Sequence, residues 1–320
     1  MQYRRLGNSG LRVSEVSLGG WLTHGRTLDD QQTERLVRHA FDLGINLFDT
    51  ADVYHLGAAE LALGKAIDGM KREDLVIATK CFFPMSDTPN DRGLSRKHIF
   101  ESVNQSLKRL KTDYIDLFQF HRFDAETPLH ETVRAIGDLV QQGKVLYWGL
   151  SQWRAQDIVD AVHLSKQFNC CPPISNQPVY NLLERGIEAS VIPTSLQHGL
   201  GQIVFSPLAQ GVLTGKYKPG EAAPAGSRGA DPDSNQFMLG NLNETVLGRV
   251  QKLTDFANQA GNSTAQVALA WCLRQSNVAS VIVGASRTEQ IDDNVGASGI
   301  RLSAEDWSRV EEIMSGESVS

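Results

Sequence analysis

"LVIATK" (75–80), "SRKHIFESVNQSLKRL" (95–110), "YIDLFQFH" (114–121), "LHETVRAIGDLVQQG" (129–143) and "VLYWGLS" (145–151) follow one another with only short links between them. The first, third and fifth are short apolar runs with β-branched and aromatic residues, the pattern of a strand covered on both faces. The second and fourth repeat apolar residues every three or four positions, the pattern of a helix lying on such a sheet. Strand, helix and next strand in that order make a parallel crossover unit. The stretch therefore decides the class: α/β, with a parallel sheet.

The same beat runs outward in both directions. Upstream stand "SEVSLGG" (14–20), a helix at 30–44 ending on Gly44, "NLFDT" (46–50) and a helix at 59–69. Downstream come a helix at 155–168, "PISNQ" (173–177), a helix near 184–198, "QIVFSP" (202–207) and a helix near 243–260. "STAQVALAWCLRQS" (263–276) is an extra helix before the eighth strand, "VASVIVGA" (278–285), and helices at 288–297 and 303–316 finish the chain. Eight strand–helix units close naturally into a (β/α)8 barrel. An N-terminal hairpin over 3–16, turning at Asn8-Ser9-Gly10, is expected to precede it. An open doubly wound sheet would carry a G-x-G-x-x-G turn after its first strand, and no strand here has one. "GVLTGKY" (211–217) is one residue short of a phosphate loop and lacks Ser or Thr after Lys216. Residues 1–320 read as one domain, interrupted by a Gly/Pro-rich connection over 209–242 of a length that is usually either a functional lid or disordered.

Composition narrows the function. Of 320 residues, 41% are hydrophobic and 21% charged, with a formal net charge of −6 and no basic stripe. That is the composition of a globular chain with a large core, and it argues against nucleic acid as a partner. Cys81, Cys170, Cys171 and Cys272 make neither a C-x-x-C pair nor a disulfide framework. No apolar run suits a signal peptide or membrane insertion, so a cytoplasmic protein is expected, and the N-x-[ST] matches at Asn104, Asn243 and Asn262 read as chance.

Barrel chemistry sits at the C-terminal ends of the strands, and strand side chains alternate faces. By that parity Asp49, Lys80, His121, Ser151 and Gln177 each end a strand pointing into the barrel mouth, with Phe48 packing outward. Singly, each has an ordinary explanation: Asp49 and Lys80 a structural ion pair, His121 a core histidine, Tyr54 a surface aromatic. Together they suit one chemistry. A free phenol titrates near pH 10 and holds its proton at neutrality. A lysine beside it would ease proton release, an aspartate would hold the lysine, and a histidine could orient the accepting oxygen. No nucleophile elbow and no metal-ligand cluster appear, so acyl transfer and metal hydrolysis fit poorly and no metal is expected.

The chain resembles the aldo-keto reductases along almost its whole length, from "RRLGNSGLRVSEVSLG" to "GASRTEQIDDN". "GINLFDTADVY", "RGLSRKHI", "YWGLSQW", "FSPLAQGVLTGKY" and "WCLRQSNVASVIVGAS" look most like the branch of voltage-gated potassium channel β subunits and their bacterial relatives. The resemblance implies a catalytic tetrad of Asp49, Tyr54, Lys80 and His121, with Tyr54 the proton donor and Asp52 a bystander. It implies NADP(H) bound without a dinucleotide fold. Gly20 and Trp21 would sit at the rim, Ser151 and Gln177 would hold the carboxamide, and Phe205 would stack on the nicotinamide. Ser206, Pro207, Leu208, Ala209, Gln210 and Gly211, with Lys216 and Arg228, would line the pyrophosphate. Gly284, Ser286, Gln290, Asp293 and Asn294 would surround the adenosine end. Ser286 and Arg287, at the start of a helix, suit the 2′-phosphate because free N–H groups and a guanidinium favour an anion there. His121 stands where that branch usually has asparagine, Phe205 where it has tryptophan and Gln152 where it has arginine. The resemblance thus implies a reductase of small aldehydes or ketones. An NADP(H)-holding regulatory subunit on a membrane protein is the alternative, and the branch admits a homo-oligomer.

Overall fold

Strand residues fall into two sets with different neighbours, and the split follows the two-residue period. Leu47, Val76, Ala78, Leu117, Ile203 and Ala279 pack on one another inside the barrel. Phe48 and Ile77 pack outward with helical Leu36, Val37 and Leu63. Phe118, Phe120 and Trp148 do the same with Ile99, Val133, Ile136 and Ile158. In a computed structural model describing residues 1–232, 235–236 and 238–316, the barrel strands are β3 (Val16–Gly19), β4 (Leu47–Asp49), β5 (Val76–Cys81), β6 (Ile115–Phe120), β7 (Val145–Leu150), β8 (Ser175–Asn176), β9 (Gly201–Val204) and β10 (Val278–Val283). They are parallel and closed in sequence order, with β10 pairing back onto β3 through Val281–Val16. This is the expected (β/α)8 barrel. The hairpin, β1 (Tyr3–Arg5) with β2 (Arg12–Ser14), is antiparallel. Its Leu6 and Val13 join the interior cluster and close one end of the barrel.

The crossover helices are α1 (Asp30–Asp42), α2 (Ala58–Ala66), α3 (Arg96–Leu110), α4 (Leu129–Gln141), α5 (Ala155–Gln167), α6 (Val191–His198), α7 (Glu244–Gln259) and α9 (Thr288–Val295). Two more, α8 (Thr264–Leu273) and α10 (Ala304–Ser315), are the extra helices. Side-chain caps set several starts: Asp29 for α1, Ser95 for α3, Asn243 for α7 and Ser263 for α8. Every residue of α8 except Gln266 is buried, as expected of a helix apolar on nearly all sides.

Two elements are shorter than their patterns predict, both because of proline. β8 spans two residues, hemmed by Pro172 and Pro173 before it and Pro178 after, none of which can donate to a ladder. The helix expected near 184–198 begins at Val191, behind a 3-10 turn at Gly186–Glu188, so that Pro193 falls in the first turn where its missing N–H costs nothing. Among its described residues, the connection over 209–242 contains three short 3-10 turns and buries Val212, Leu213, Tyr217 and Met238. Asp233, Ser234 and Phe237 lie outside the described residues.

Candidate active site

β4 ends at Asp49, but the chain stays stapled to β5 for three more residues. Thr50 N–H donates to Ala78 O (2.9 Å) and Asp52 N–H to Lys80 O (3.1 Å). It then turns through His55, Leu56 and Gly57, all left-handed (φ 51°, 51° and 91°). A non-glycine residue rarely adopts that conformation. A Cβ on Gly57 would lie 2.7 Å from Arg109 Cδ, so the turn requires glycine on two counts. The result is that Tyr54 folds back over the strand ends.

There its hydroxyl meets Lys80. Lys80 Nζ donates to Asp49 Oδ2 (2.7 Å), Thr50 O (2.8 Å) and Tyr54 Oη (3.3 Å). Lys80 is fully buried and Asp49 nearly so. Burial alone would lower the ammonium's pKa, but Asp49 and Tyr54 outweigh it and hold Lys80 above its ordinary value. Gln177 Nε2 donates to the other Asp49 oxygen (2.8 Å), and Ser151 Oγ donates to Gln177 O (3.0 Å), which locks the carboxylate in place. Tyr54 departs from the sequence expectation. Burial pushes its pKa up, and Lys80 only partly opposes this. The phenol is therefore held in its protonated form, with a lysine ready to stabilise the phenolate.

His121 faces this pair, its ring 5.8 Å from that of Tyr54 and edge-on to Phe83 at 4.9 Å. Burial, then Lys80 and Arg122, push its pKa well below the ordinary value, so the imidazole is neutral. Its Nδ1 is buried without a hydrogen-bond partner, as are Ser175 Oγ and both amide atoms of Gln119, which sits beside Lys80 in the β5–β6 register. Trp21 lies 6.5 Å from Tyr54, and Gly20 N–H bonds Asp49 O (2.9 Å). Phe205 packs on the interior cluster just past β9. Asp52, the bystander of the sequence reading, points away: Ser102 Oγ of α3 donates to it (2.8 Å). Burial, then neighbouring Glu60, push its pKa up to about 7. Glu60 itself takes bonds from Thr79 Oγ1 (2.6 Å) and Arg109 Nε (2.5 Å).

Beside this centre lies a cluster of left-handed backbone at Ser206, Ala209, Gln210 and Gly211, spanning the expected pyrophosphate turn with buried Pro207 and half-buried Leu208. Arg228 of the long connection bonds Gln210 Oε1, and Gln210 Nε2 bonds Ser206 Oγ (2.9 Å). The half-buried Arg228 thus has an amide, not a carboxylate, for its partner. Lys216 lies over the Tyr217 ring and points back at Gly211. Two cations without a carboxylate partner among the described residues, around a turn of this kind, suit a phosphate. The third set is bonded among itself at the start of α9, after exposed Gly284. Gln290 Oε1 accepts from Ser286 N–H (2.8 Å), Ser286 Oγ (3.2 Å) and Arg287 N–H (3.3 Å). The N–H groups expected to be free are thus already capped by Gln290, so an anion binding there must displace that amide. Asp293 accepts from Ser263 Oγ (3.1 Å), and Asn294 is buried.

Thr50, whose carbonyl accepts a hydrogen bond from Lys80, and Arg122, beside the histidine, were not singled out from sequence. Thr50 acts through its backbone, which sequence does not display. Arg122 was visible only as a charge adjoining a strand-end histidine in "FHRFD".

A closed parallel barrel with Asp49, Lys80, Tyr54 and His121 together at its mouth is the arrangement that the resemblance implied. The Aldo/keto reductase family matches residues 15–315, and the chain belongs to it. It is 44% identical over 300 residues to a probable voltage-gated potassium channel subunit beta of Arabidopsis thaliana, covering 93% of this chain and 91% of the relative. A putative subunit of the same description in Schizosaccharomyces pombe is 43% identical over 323 residues, covering 98% and 93%. Among the described residues, no helix is long and apolar enough to cross a membrane.

Proposed function

We propose that this chain is a cytoplasmic NADPH-dependent reductase that converts small aldehydes or ketones to alcohols. One observation carries the reading: a protonated phenol, Tyr54, hydrogen-bonded to a fully buried ammonium, Lys80, that Asp49 holds in place. Bound NADPH supplies a hydride from its reduced nicotinamide to the carbonyl carbon. Tyr54 gives its proton to the carbonyl oxygen as negative charge develops there, and Lys80 steadies the phenolate left behind. Neutral His121 donates a second hydrogen bond to the same oxygen without competing for the proton. Ser151, Gln177 and Phe205 would hold the nicotinamide end, the 206–211 turn with Lys216 and Arg228 the pyrophosphate, and the start of α9 the adenosine end. A regulatory subunit that holds NADP(H) on a membrane protein is the second reading, favoured by the descriptions of the relatives. The test is a panel of aldehydes and ketones with NADPH, followed by loss of nicotinamide absorbance, in wild type and Tyr54→Phe. Removing a general acid should cost roughly 10²–10⁴-fold in rate with cofactor affinity nearly unchanged. A variant keeping more than about a tenth of the wild-type rate would sink the proton-donor assignment.

A further inference from the structure

Arg122 follows His121 directly, yet its guanidinium lies along the rim of the site. Nη1 donates to the His121 carbonyl (2.6 Å), and the guanidinium carbon stands 5.4 Å from the centroid of Phe83, the ring that meets His121 edge-on. Its charge reaches the reacting groups, since it helps depress His121 and opposes the rise at Tyr54. No carboxylate among the described residues pairs with it. Asp124, the closest acid in sequence, is occupied by Leu94 N–H, Glu126 N–H and Thr127 Oγ1. A guanidinium carries five N–H donors. One carbonyl and an aromatic face leave most of that fork, half-buried at the mouth, without an anion. Burying a cation unpaired is costly, and a planar fork matches an oxyanion.

From this placement we infer that Arg122 binds an anionic oxygen group, carboxylate or phosphate, on the far end of the carbonyl substrate. The inference rests on the reductase reading and sharpens it: the preferred substrates are aldehydes or ketones that carry an acid group, not neutral ones of equal length. Arg122 then sets specificity. It holds the tail while Tyr54 and His121 engage the carbonyl oxygen, and a charge-assisted bond there should appear mainly in KM.

The experiment compares 4-oxobutanoate with butanal, and glyceraldehyde 3-phosphate with glyceraldehyde, in wild type, Arg122→Met and Arg122→Lys. The wild type should favour at least one anionic aldehyde over its neutral partner. Arg122→Met should raise KM for that anion by about ten- to a hundredfold and leave the neutral partner within about twofold. Arg122→Lys should recover part of the loss, because charge survives and the fork does not. The pair that responds tells carboxylate from phosphate. Calorimetric titration of 4-hydroxybutanoate and of inorganic phosphate, with and without NADPH, supplies a readout independent of turnover. Arg122-dependent binding without any reduction would uphold the anion site while defeating the reductase reading. Reduction of butanal with no anion preference and no Arg122-dependent binding would overturn the anion site and leave the reductase standing. Equal KM changes for charged and neutral aldehydes would also overturn it.

Discussion

Replacing Asp49 by asparagine keeps the shape of the side chain and removes its charge, leaving Lys80 buried beside two neutral oxygens. The ion pair is 2.7 Å long and Lys80 is fully buried. At that separation, with an effective dielectric constant near 20, the attraction is about 6 kcal/mol. Relaxation and loss of the lysine's proton recover part of it, so the expected cost is about 3–5 kcal/mol, the usual range for breaking a buried pair on one side. That is a large share of the whole stability of a domain. The pH dependence gives a sharper signature. In the wild type Lys80 is held above its ordinary pKa. Its contribution is therefore present below the unfolded value of about 10.4 and is lost as pH rises through the folded value. In Asp49→Asn burial dominates, and the folded pKa drops below the unfolded one. Between the two values the unfolded chain binds more protons, so stability rises with pH where the wild type's contribution from Lys80 is flat. Urea denaturation of wild type, Asp49→Asn, Lys80→Met and the double variant at pH 7 and pH 9 tests this. The double variant should be more stable than the sum of the single losses implies, because it leaves no unpaired charge. A loss under 1 kcal/mol in Asp49→Asn, additive behaviour in the double variant, or no gain toward pH 9 would refute the reasoning.

Two further outcomes follow from other parts of the site. Fluorescence titration should show NADPH binding more tightly than NADH, with Ser286→Ala and Arg287→Ala each weakening NADPH by about ten- to a hundredfold and leaving NADH unchanged. Equal wild-type affinities would remove the 2′-phosphate from this turn. Asp52→Asn should stabilise the protein at pH 8 and not at pH 4. Its folded pKa of about 7 lies above the ordinary aspartate value of 3.8, so the native state binds a proton more readily and stability falls as pH rises between them, by about 4 kcal/mol. Matching pH–stability curves for wild type and Asp52→Asn would show that the carboxyl carries no such burden.

The meeting of Asp49, Lys80 and Gln177 was readable because it depends only on strand parity, and a period of two carries across every link of a closed sheet. The direction in which the Tyr54 pKa moves was not readable. Sequence shows that a lysine comes near the phenol, but the opposing effect is burial under the folded-back turn, which exists only once His55, Leu56 and Gly57 are left-handed. Glu60 and Arg109 were hidden for another reason: they lie on different helices, and each looks like an ordinary charge on a solvated face until α2 and α3 pack. The Gln290 cap likewise depends on which way one amide turns. Prolines shortened β8 and α6, a local effect that a count of apolar residues passes over.

The hairpin plug makes the barrel a cup. With Leu6 and Val13 across the floor, whatever reaches Lys80 must enter and leave over one rim, the rim that holds Tyr54, Phe83 and Arg122. A vessel with a single opening imposes an order of loading. What seats deepest has to arrive first and depart last, and a second molecule stacked above it blocks its exit. Trapping of the lower occupant by the upper one should therefore be visible as a dissociation rate that falls as the upper molecule's concentration rises.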